Sequence, residues 1–221
     1  MKKIKTSYLI FYVFPMLLPL ILTLAALPHL PEEIPAHYGF SGQVDRWGSK
    51  YEALIFPVIT ICFGALMALI AWLAAHQEKS GTNNLRTCVI SGLLGLALFN
   101  AMNLFFLYTA FAQTENLNAL ALDIYQIMFL LLGLTLLVLG NIMPKVRMNS
   151  LVGLRTKWSM KNEQVWKKCQ RFGGISLMIT GILTILVSLL TGGILCFILS
   201  LTLILGDCGL CVWYSRRAAE E

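Results

Sequence analysis

The sequence predicts an all-α protein, a six-span transmembrane helical bundle with both termini in the cytoplasm. Hydrophobic residues make up 57% of the 221 residues and charged residues 13%, whereas soluble domains average about 25% charged residues. The charged residues are clustered, so the apolar runs between them reach the roughly 20 residues that a helix needs to cross a bilayer. A transmembrane β-barrel is excluded because short segments of alternating polarity do not occur. The first partner that the sequence implies is therefore the lipid bilayer.

Six apolar runs define the predicted spans. They cover residues 8–27, 53–75, 87–112, 124–143, 173–190 and 194–214. The first run is longer than the apolar region of a signal peptide, so we expect it to be retained as a span. Pro15 and Pro19 should bend this helix, because each proline removes a backbone donor.

The distribution of Lys and Arg predicts the orientation. With the N-terminus inside, the inner segments hold three, two, eight and two basic residues, whereas the outer segments hold two, none and none. The positive-inside rule therefore places both termini in the cytoplasm. Since most of the formal charge of +6 lies beside spans, we predict no direct contact with nucleic acid.

The chain falls into three predicted regions. Residues 1–75 hold the first two spans and an extracellular loop at 28–52. Residues 76–123 hold the third span and its flanking loops. Residues 124–221 hold the fourth span, a cytoplasmic loop at 144–172 and the last two spans.

The extracellular loop should be irregular, because its prolines exclude a continuous helix and its glycines mark turns. It contains His29 and His37 near carboxylates such as Asp45. Histidine and carboxylate are zinc ligands, but the loop has no HExxH motif and no histidine pair at i, i+4, so we predict no metal. A compact loop of this kind could still bind a peptide.

The cytoplasmic loop should contain an irregular turn and then an interfacial helix. Gly153 gives the turn backbone freedom, and Ser159 is a plausible N-cap for a helix that ends at Phe172. Such a helix can lie in the inner interface with Trp166 at headgroup depth. Two roles remain open for the charges: fixing topology with contact to anionic lipids, or docking a cytoplasmic partner. Arg155 resembles a lipid anchor less than the lysines do.

Three polar residues within the spans are candidate functional residues, namely Asp207, Asn100 and Asn103. Ionisable residues inside a membrane usually have a function, and Ser91 and Thr180 should lie deep enough to hydrogen-bond Asp207. With the bent first span, these residues could line the pathway of a small-molecule or peptide transporter. The alternative is a protonated or water-exposed Asp207 near the inner face.

The sequence lacks the common catalytic motifs. GxxxxGK[ST], GxGxxG and HExxH do not occur, and no nucleophile has a base at a suitable spacing. We therefore predict no enzyme activity and no cofactor.

Two residue patterns resemble families of bacterial membrane proteins. The pattern in the extracellular loop is similar to a domain of unknown function and comprises Pro35, His37, Gly42, Asp45, Gly48 and Lys50. The second pattern resembles the carboxyl-terminal half of the SdpI family and comprises Asn141, Pro144, Asn149, Gly153, Arg155, Thr156, Trp158, Glu163 and Trp166. Together with six spans, the two patterns cover nearly the whole chain.

The resemblance implies a multi-pass protein of the bacterial plasma membrane that gives immunity to a secreted toxic peptide. It also implies possible signalling, in which the cytoplasmic loop sequesters a small DNA-binding repressor. The chain departs from the family pattern at Lys157 and Ser159, which replace proline and threonine, and at Cys169 and Gln170, which replace threonine and histidine. These changes concern the cytoplasmic loop, so they bear on the repressor rather than on the fold.

Overall fold

The computed structural model describes residues 6–76, 81–120 and 123–220. Its long helices are α1 (Thr6–Ala26), α2 (Ile55–Ala75), α3 (Gly81–Ala112), α4 (Ile124–Ile142), α5 (Glu163–Leu190) and α6 (Gly193–Glu220). All six are long and apolar enough to cross a membrane. The prediction of an all-α chain with six spans is therefore confirmed, while the orientation and the three-region division remain predictions.

The segment between α1 and α2 contains a β-hairpin, so the prediction of an irregular extracellular loop is wrong. Strands β1 (Glu33–Tyr38) and β2 (Val44–Ser49) pair antiparallel. A two-stranded sheet consists of edge strands, which tolerate a proline such as Pro35 because its missing donor need not face the partner. The strands are joined by a tight turn in which Gly42 has a φ of 78°, a conformation that favours glycine.

The segment after α3 pairs with this hairpin. The Val44 amide donates to the Glu115 carbonyl at 2.9 Å, and the Leu117 amide donates to the Gly42 carbonyl at 2.8 Å. The Tyr38 hydroxyl donates to the carbonyl of Thr114 at 2.9 Å. We call residues 33–49 together with 113–117 the hairpin assembly.

Two compact units make up the chain. Unit 1 comprises residues 1–67 and 92–124, and unit 2 comprises residues 68–91 and 125–221. In unit 1, buried Leu30 and Ile34 pack against Leu107 and Ala110 of α3, which attaches the hairpin assembly to the helices.

Helix α5 is continuous from the basic loop at 144–172 into the apolar run, so the prediction of a separate interfacial helix capped by Ser159 is wrong. The N-cap is Asn162, whose side-chain Oδ1 accepts from the Val165 amide at 2.9 Å. From Glu163 the helix runs without interruption to Leu190. Hydropathy marks where an apolar stretch begins, but a helix begins where a side chain satisfies its first free amides.

In unit 2, α4 and α5 are in backbone contact through two pairs of glycines. A Cβ on Gly140 would lie 2.6 Å from the Gly174 carbonyl oxygen, and a Cβ on Gly181 would lie 2.7 Å from the Gly133 carbonyl oxygen. The reverse contacts are equally short, at 2.6 and 2.8 Å. Small residues permit such close approach between membrane helices, where dispersion contacts provide much of the association.

Replacing Gly140 by alanine should destabilise unit 2. The new methyl group would meet backbone atoms of α5, which cannot move aside without separating the helices, and overpacking of this kind costs about 1–3 kcal/mol. The measurement is the thermal unfolding midpoint of the purified protein in detergent, which should fall.

Gly209→Ala is the matched control, because a Cβ at Gly209 in α6 meets no atom within 4 Å. That variant should keep or slightly raise the midpoint through its better helix propensity. Equal midpoints for Gly140→Ala and Gly209→Ala would contradict the close α4–α5 contact.

Candidate functional site

The hairpin assembly brings His37 and Asp45, two polar residues of its sequence pattern, together. The His37 Nδ1 and Asp45 Oδ1 atoms lie 2.6 Å apart, and 64% and 52% of these side chains are exposed. Asp45 follows the turn, which is closed by a hydrogen bond of 2.8 Å from the Gly39 amide to the Gln43 carbonyl. The arrangement presents an acceptor and an imidazole side by side to solvent.

The other residues of this pattern build the hairpin. Pro35 is buried, and a Cβ on Gly48 would collide with the Glu52 carboxylate and with Ala36. Lys50 donates to the Glu32 carboxylate at 2.8 Å, with its side chain only 14% exposed. These residues shape the surface on which His37 and Asp45 are presented.

Two further features stabilise this surface. Arg46 forms a bidentate ion pair with Glu52, at 3.1 and 2.8 Å. Burial raises the pKa of Tyr38, and its hydroxyl donates to the Thr114 carbonyl.

The basic loop at 144–172 is folded around two buried amide side chains. The Asn149 Oδ1 atom accepts from the Leu151 and Val152 amides, both at 2.7 Å. The Gln170 side chain, fully buried, accepts from the Leu154 amide and donates to the Leu154 carbonyl, both at 3.0 Å. Buried polar groups that are fully paired in this way give a loop one fixed conformation.

Gly153 lies where this loop meets α5. Its φ is 104°, and a Cβ there would lie 2.7 Å from the Gln170 Oε1 atom. Both the conformation and the space require glycine.

A hydroxyl pair connects the loop to α6. The Ser159 Oγ atom accepts from the Thr156 amide at 2.8 Å and donates to the Leu154 carbonyl at 2.8 Å. The Thr156 hydroxyl donates to Ser215 Oγ at 2.9 Å. The Lys161 ammonium donates to the Ala219 carbonyl at 2.6 Å, close to the C-terminus of α6, where a cation is favourable.

Trp166 does not lie at a lipid headgroup surface, so that prediction is wrong. Its side chain is 1% exposed, and its indole Nε1 donates to the Val146 carbonyl at 2.8 Å. The indole N–H is thus paired with a backbone carbonyl rather than with lipid headgroups or water, as is usual for buried tryptophans.

The charged residues of the loop lie on its outside. All eight bases are exposed, namely Lys145, Arg147, Arg155, Lys157, Lys161, Lys167, Lys168 and Arg171. Three other residues of the pattern, Asn141, Pro144 and Glu163, are exposed as well. Arg155 makes one long contact of 3.4 Å to the Leu151 carbonyl, and the Lys157 ammonium lies 4.8 Å from the Trp158 ring. The paired amide and hydroxyl side chains form a neutral internal frame of the loop. The surface of the loop is basic.

The polar residues of the spans make contacts between helices. The Asn100 Nδ2 atom donates to the Pro15 carbonyl at 2.8 Å, which has lost its helical donor because the residue four positions later, Pro19, has no amide hydrogen. The Thr23 hydroxyl donates to Asn103 Oδ1 at 3.3 Å. Both asparagines thus join α3 to the proline-containing α1.

Asp207 contacts α5, but through a residue that the sequence analysis did not select. Ser176 donates to its carboxylate, whereas the predicted donors Ser91 and Thr180 do not contact it in the described structure. The Cys211 Sγ atom lies 4.0 Å from the same oxygen. Interhelical hydrogen bonds of this kind support packing, and they do not by themselves define a transport pathway.

Sequence reasoning missed the residues that hold the loop, above all Gln170, Asn162 and Ser215. One signal was present: Gln170 is an uncharged amide within a run of lysines and arginines. Long-range pairs such as Thr156 with Ser215, 59 positions apart, leave no local signal.

Comparisons with known proteins match both candidate regions. Residues 16–61 match a domain of unknown function (DUF1648), which covers the hairpin, and residues 145–211 match the SdpI/YfhL protein family, which covers the basic loop. The chain is 31% identical over 166 residues to the Immunity protein SdpI of Bacillus subtilis (strain 168), covering 74% of this chain and 73% of that protein. No solved structure matches the chain.

Removing the Gln170 amide should loosen the basic loop. Gln170→Leu leaves the Leu154 amide without a partner, which costs about 1–3 kcal/mol. It also removes one of the two donors to the Leu154 carbonyl, which keeps the Ser159 hydroxyl. Trypsin should then cleave the purified protein after Arg155 or Lys157 about fivefold faster or more, since cleavage follows the open population. The measurement is the initial rate of appearance of these fragments by mass spectrometry.

Lys167→Ala serves as the control, since this exposed base lies on the same helix and both cleavage positions stay intact. Its cleavage rate should equal that of the wild type. A Gln170→Leu protein that is cleaved no faster than Lys167→Ala would show that the amide does not hold the loop.

Proposed function

The chain belongs to the SdpI/YfhL protein family, and we propose that it gives its cell immunity to a secreted, membrane-active toxic peptide. The Bacillus subtilis relative is named an immunity protein, and the six helices agree with action in a membrane. The observation that carries the proposal is the hairpin assembly, a folded surface in a region that charge asymmetry predicts to face outward.

The exposed side chains of the hairpin assembly suit a peptide ligand. Phe40 is 82% exposed and Trp47 is 40% exposed, beside the polar pair of His37 and Asp45. Exposed aromatic groups next to paired polar groups are common where proteins bind partners. Binding at this surface would keep the toxin from the lipid without any chemical reaction, which agrees with the absence of enzyme motifs.

Substitution of the polar pair should reduce protection. Expression of the wild type should let toxin-sensitive cells survive the peptide, and His37→Ala or Asp45→Asn should lower the tolerated toxin concentration by about tenfold. Such a decrease corresponds to a loss of roughly 1.4 kcal/mol in binding. The measurement is survival against toxin concentration at equal amounts of membrane-inserted protein.

Arg216→Ala is the control for this experiment, because Arg216 also forms an exposed ion pair, at 3.1 Å with Glu220 in the last turns of α6. It should leave protection unchanged. If the wild type protects against no related peptide toxin, the proposal fails.

A second role, capture of a cytoplasmic repressor, is favoured by the construction of the basic loop. Eight exposed bases lie on a frame whose own amides and hydroxyls are paired with one another. A fixed basic surface is suited to an acidic partner, because the loop loses little conformational freedom on binding. The family pattern contributes the exposed Arg155 to this surface.

Arg155→Ala should release such a partner without affecting membrane insertion. The test compares recovery of a cytoplasmic DNA-binding repressor by the tagged wild type, by Arg155→Ala and by Trp158→Ala. Lys145→Ala removes another exposed base of the same loop and should retain the repressor. Equal recovery by all four proteins would count against the repressor role. Equal loss in Arg155→Ala and Lys145→Ala, with full recovery by Trp158→Ala, would indicate attraction by charge alone, because only the first two variants remove a positive charge.

A further inference from the structure

A polar cavity opens at the surface of the hairpin assembly. It has a volume of about 480 Å³ and is lined by Gln43, Val44, Trp47, Glu115 and Asn116. The backbone pairing of Val44 with Glu115 and of Gln43 with Asn116 fixes its two sides relative to each other. The cavity therefore lies between β2 and the segment that follows α3, within unit 1.

The lining side chains suit an organic cation. The face of an indole attracts ammonium and guanidinium groups, and Trp47 is exposed enough to offer its ring. The carboxylate of Glu115 provides the opposite charge on the same cavity. An anion would be repelled by Glu115, and an apolar ligand would find more polar than apolar surface.

The charge balance of the assembly also favours a cation. Arg46 in the assembly and Lys50, the residue that follows β2, are already paired, with Glu52 and Glu32 respectively, at 2.8 Å each. Within the described residues, Glu115 has no ion-pair partner. One carboxylate in the cavity is thus available to a ligand.

We propose that this cavity binds the lysine or arginine side chain of a polypeptide. The amide of Gln43 adds a hydrogen-bond acceptor that an N–H donor can use and that the quaternary ammonium of a choline headgroup cannot. The inference rests on the proposed function, because it makes the toxic peptide the source of this side chain.

Binding of a lysine probe to the full-length protein tests the cavity. The protein is kept in dodecyl maltoside, which has no charge, at low ionic strength. The probe is acetyl-Gly-Lys-Gly-amide, its uncharged counterpart contains norleucine in place of lysine, and soluble phosphocholine represents the lipid headgroup. Saturation-transfer NMR on the ligand protons reports binding without relying on Trp47 as a fluorophore.

The lysine probe should bind saturably to the wild type, and the norleucine peptide and phosphocholine should not. Glu115→Gln and Trp47→Leu should each weaken binding about two- to fivefold, the range of an exposed ion pair or cation–π contact. Glu115 pairs with Val44 through its backbone carbonyl, so Glu115→Gln keeps that contact. Glu33→Gln, which removes another exposed carboxylate outside the cavity, should bind like the wild type.

Three results would overturn the inference: equal binding of the lysine and norleucine peptides, binding of phosphocholine as tight as that of lysine, or equal weakening by Glu33→Gln and Glu115→Gln. The binding measurement uses purified protein and can therefore fail or succeed separately from the survival of cells. Protection of cells without lysine binding would reject the cavity alone, whereas lysine binding without protection would reject the proposed function and leave the cavity intact.

Discussion

The close contact between α4 and α5 is the constraint on which the basic loop depends. Gly140 and Gly174 bring the two backbones together, and a Cβ on Gly174 would also lie 2.8 Å from a ring carbon of Pro144. The loop therefore starts against α5. From there Trp166 reaches the Val146 carbonyl and Gln170 reaches both backbone groups of Leu154. A larger residue at either glycine would move the start of the loop away from the helix that pins it.

The sequence predicted the spans well because each depends on a property of a continuous segment. An uncharged run of sufficient length must form a helix in a bilayer, since its backbone groups have no other partner there. The hairpin could not be predicted in the same way. Its strands have six residues each and include Pro35 and Gly48, and part of their pairing comes from residues 113–117, far away in sequence. The cavity could not be predicted for the same reason: Trp47 and Glu115 both line it, although α2 and α3 lie between them in the sequence.

The residue patterns of the two candidate sites contain both residues that determine the shape of the site and residues that are exposed on it. The sequence alone does not distinguish the two kinds. Asn149, Gly153 and Trp166 are buried or sterically required, so they determine the shape of the loop. Arg155 is exposed and contributes little to that shape. Burial and hydrogen bonding distinguish the two kinds, and they show that the exposed member is not needed for the shape of the loop. Gln170 stands where the family pattern has histidine, and the sequence predicted that this change bears on the repressor. That prediction is wrong for Gln170, because its amide is fully buried and holds the loop from inside.

Asp207 fits a packing role better than a proton relay. A relay would need hydroxyl groups that donate to one another along the α5–α6 contact. Two buried hydroxyls of α5 instead donate to their own helix: Thr184 to the Thr180 carbonyl and Ser188 to the Ile185 carbonyl, both at 2.8 Å. A carboxylate in a membrane segment still requires a partner, and Ser176 provides one. This bond fixes α6 against α5 two turns before Ser215, at which Thr156 attaches the loop. The bond between Ser176 and Asp207 thus helps to hold in position the helix that carries the loop.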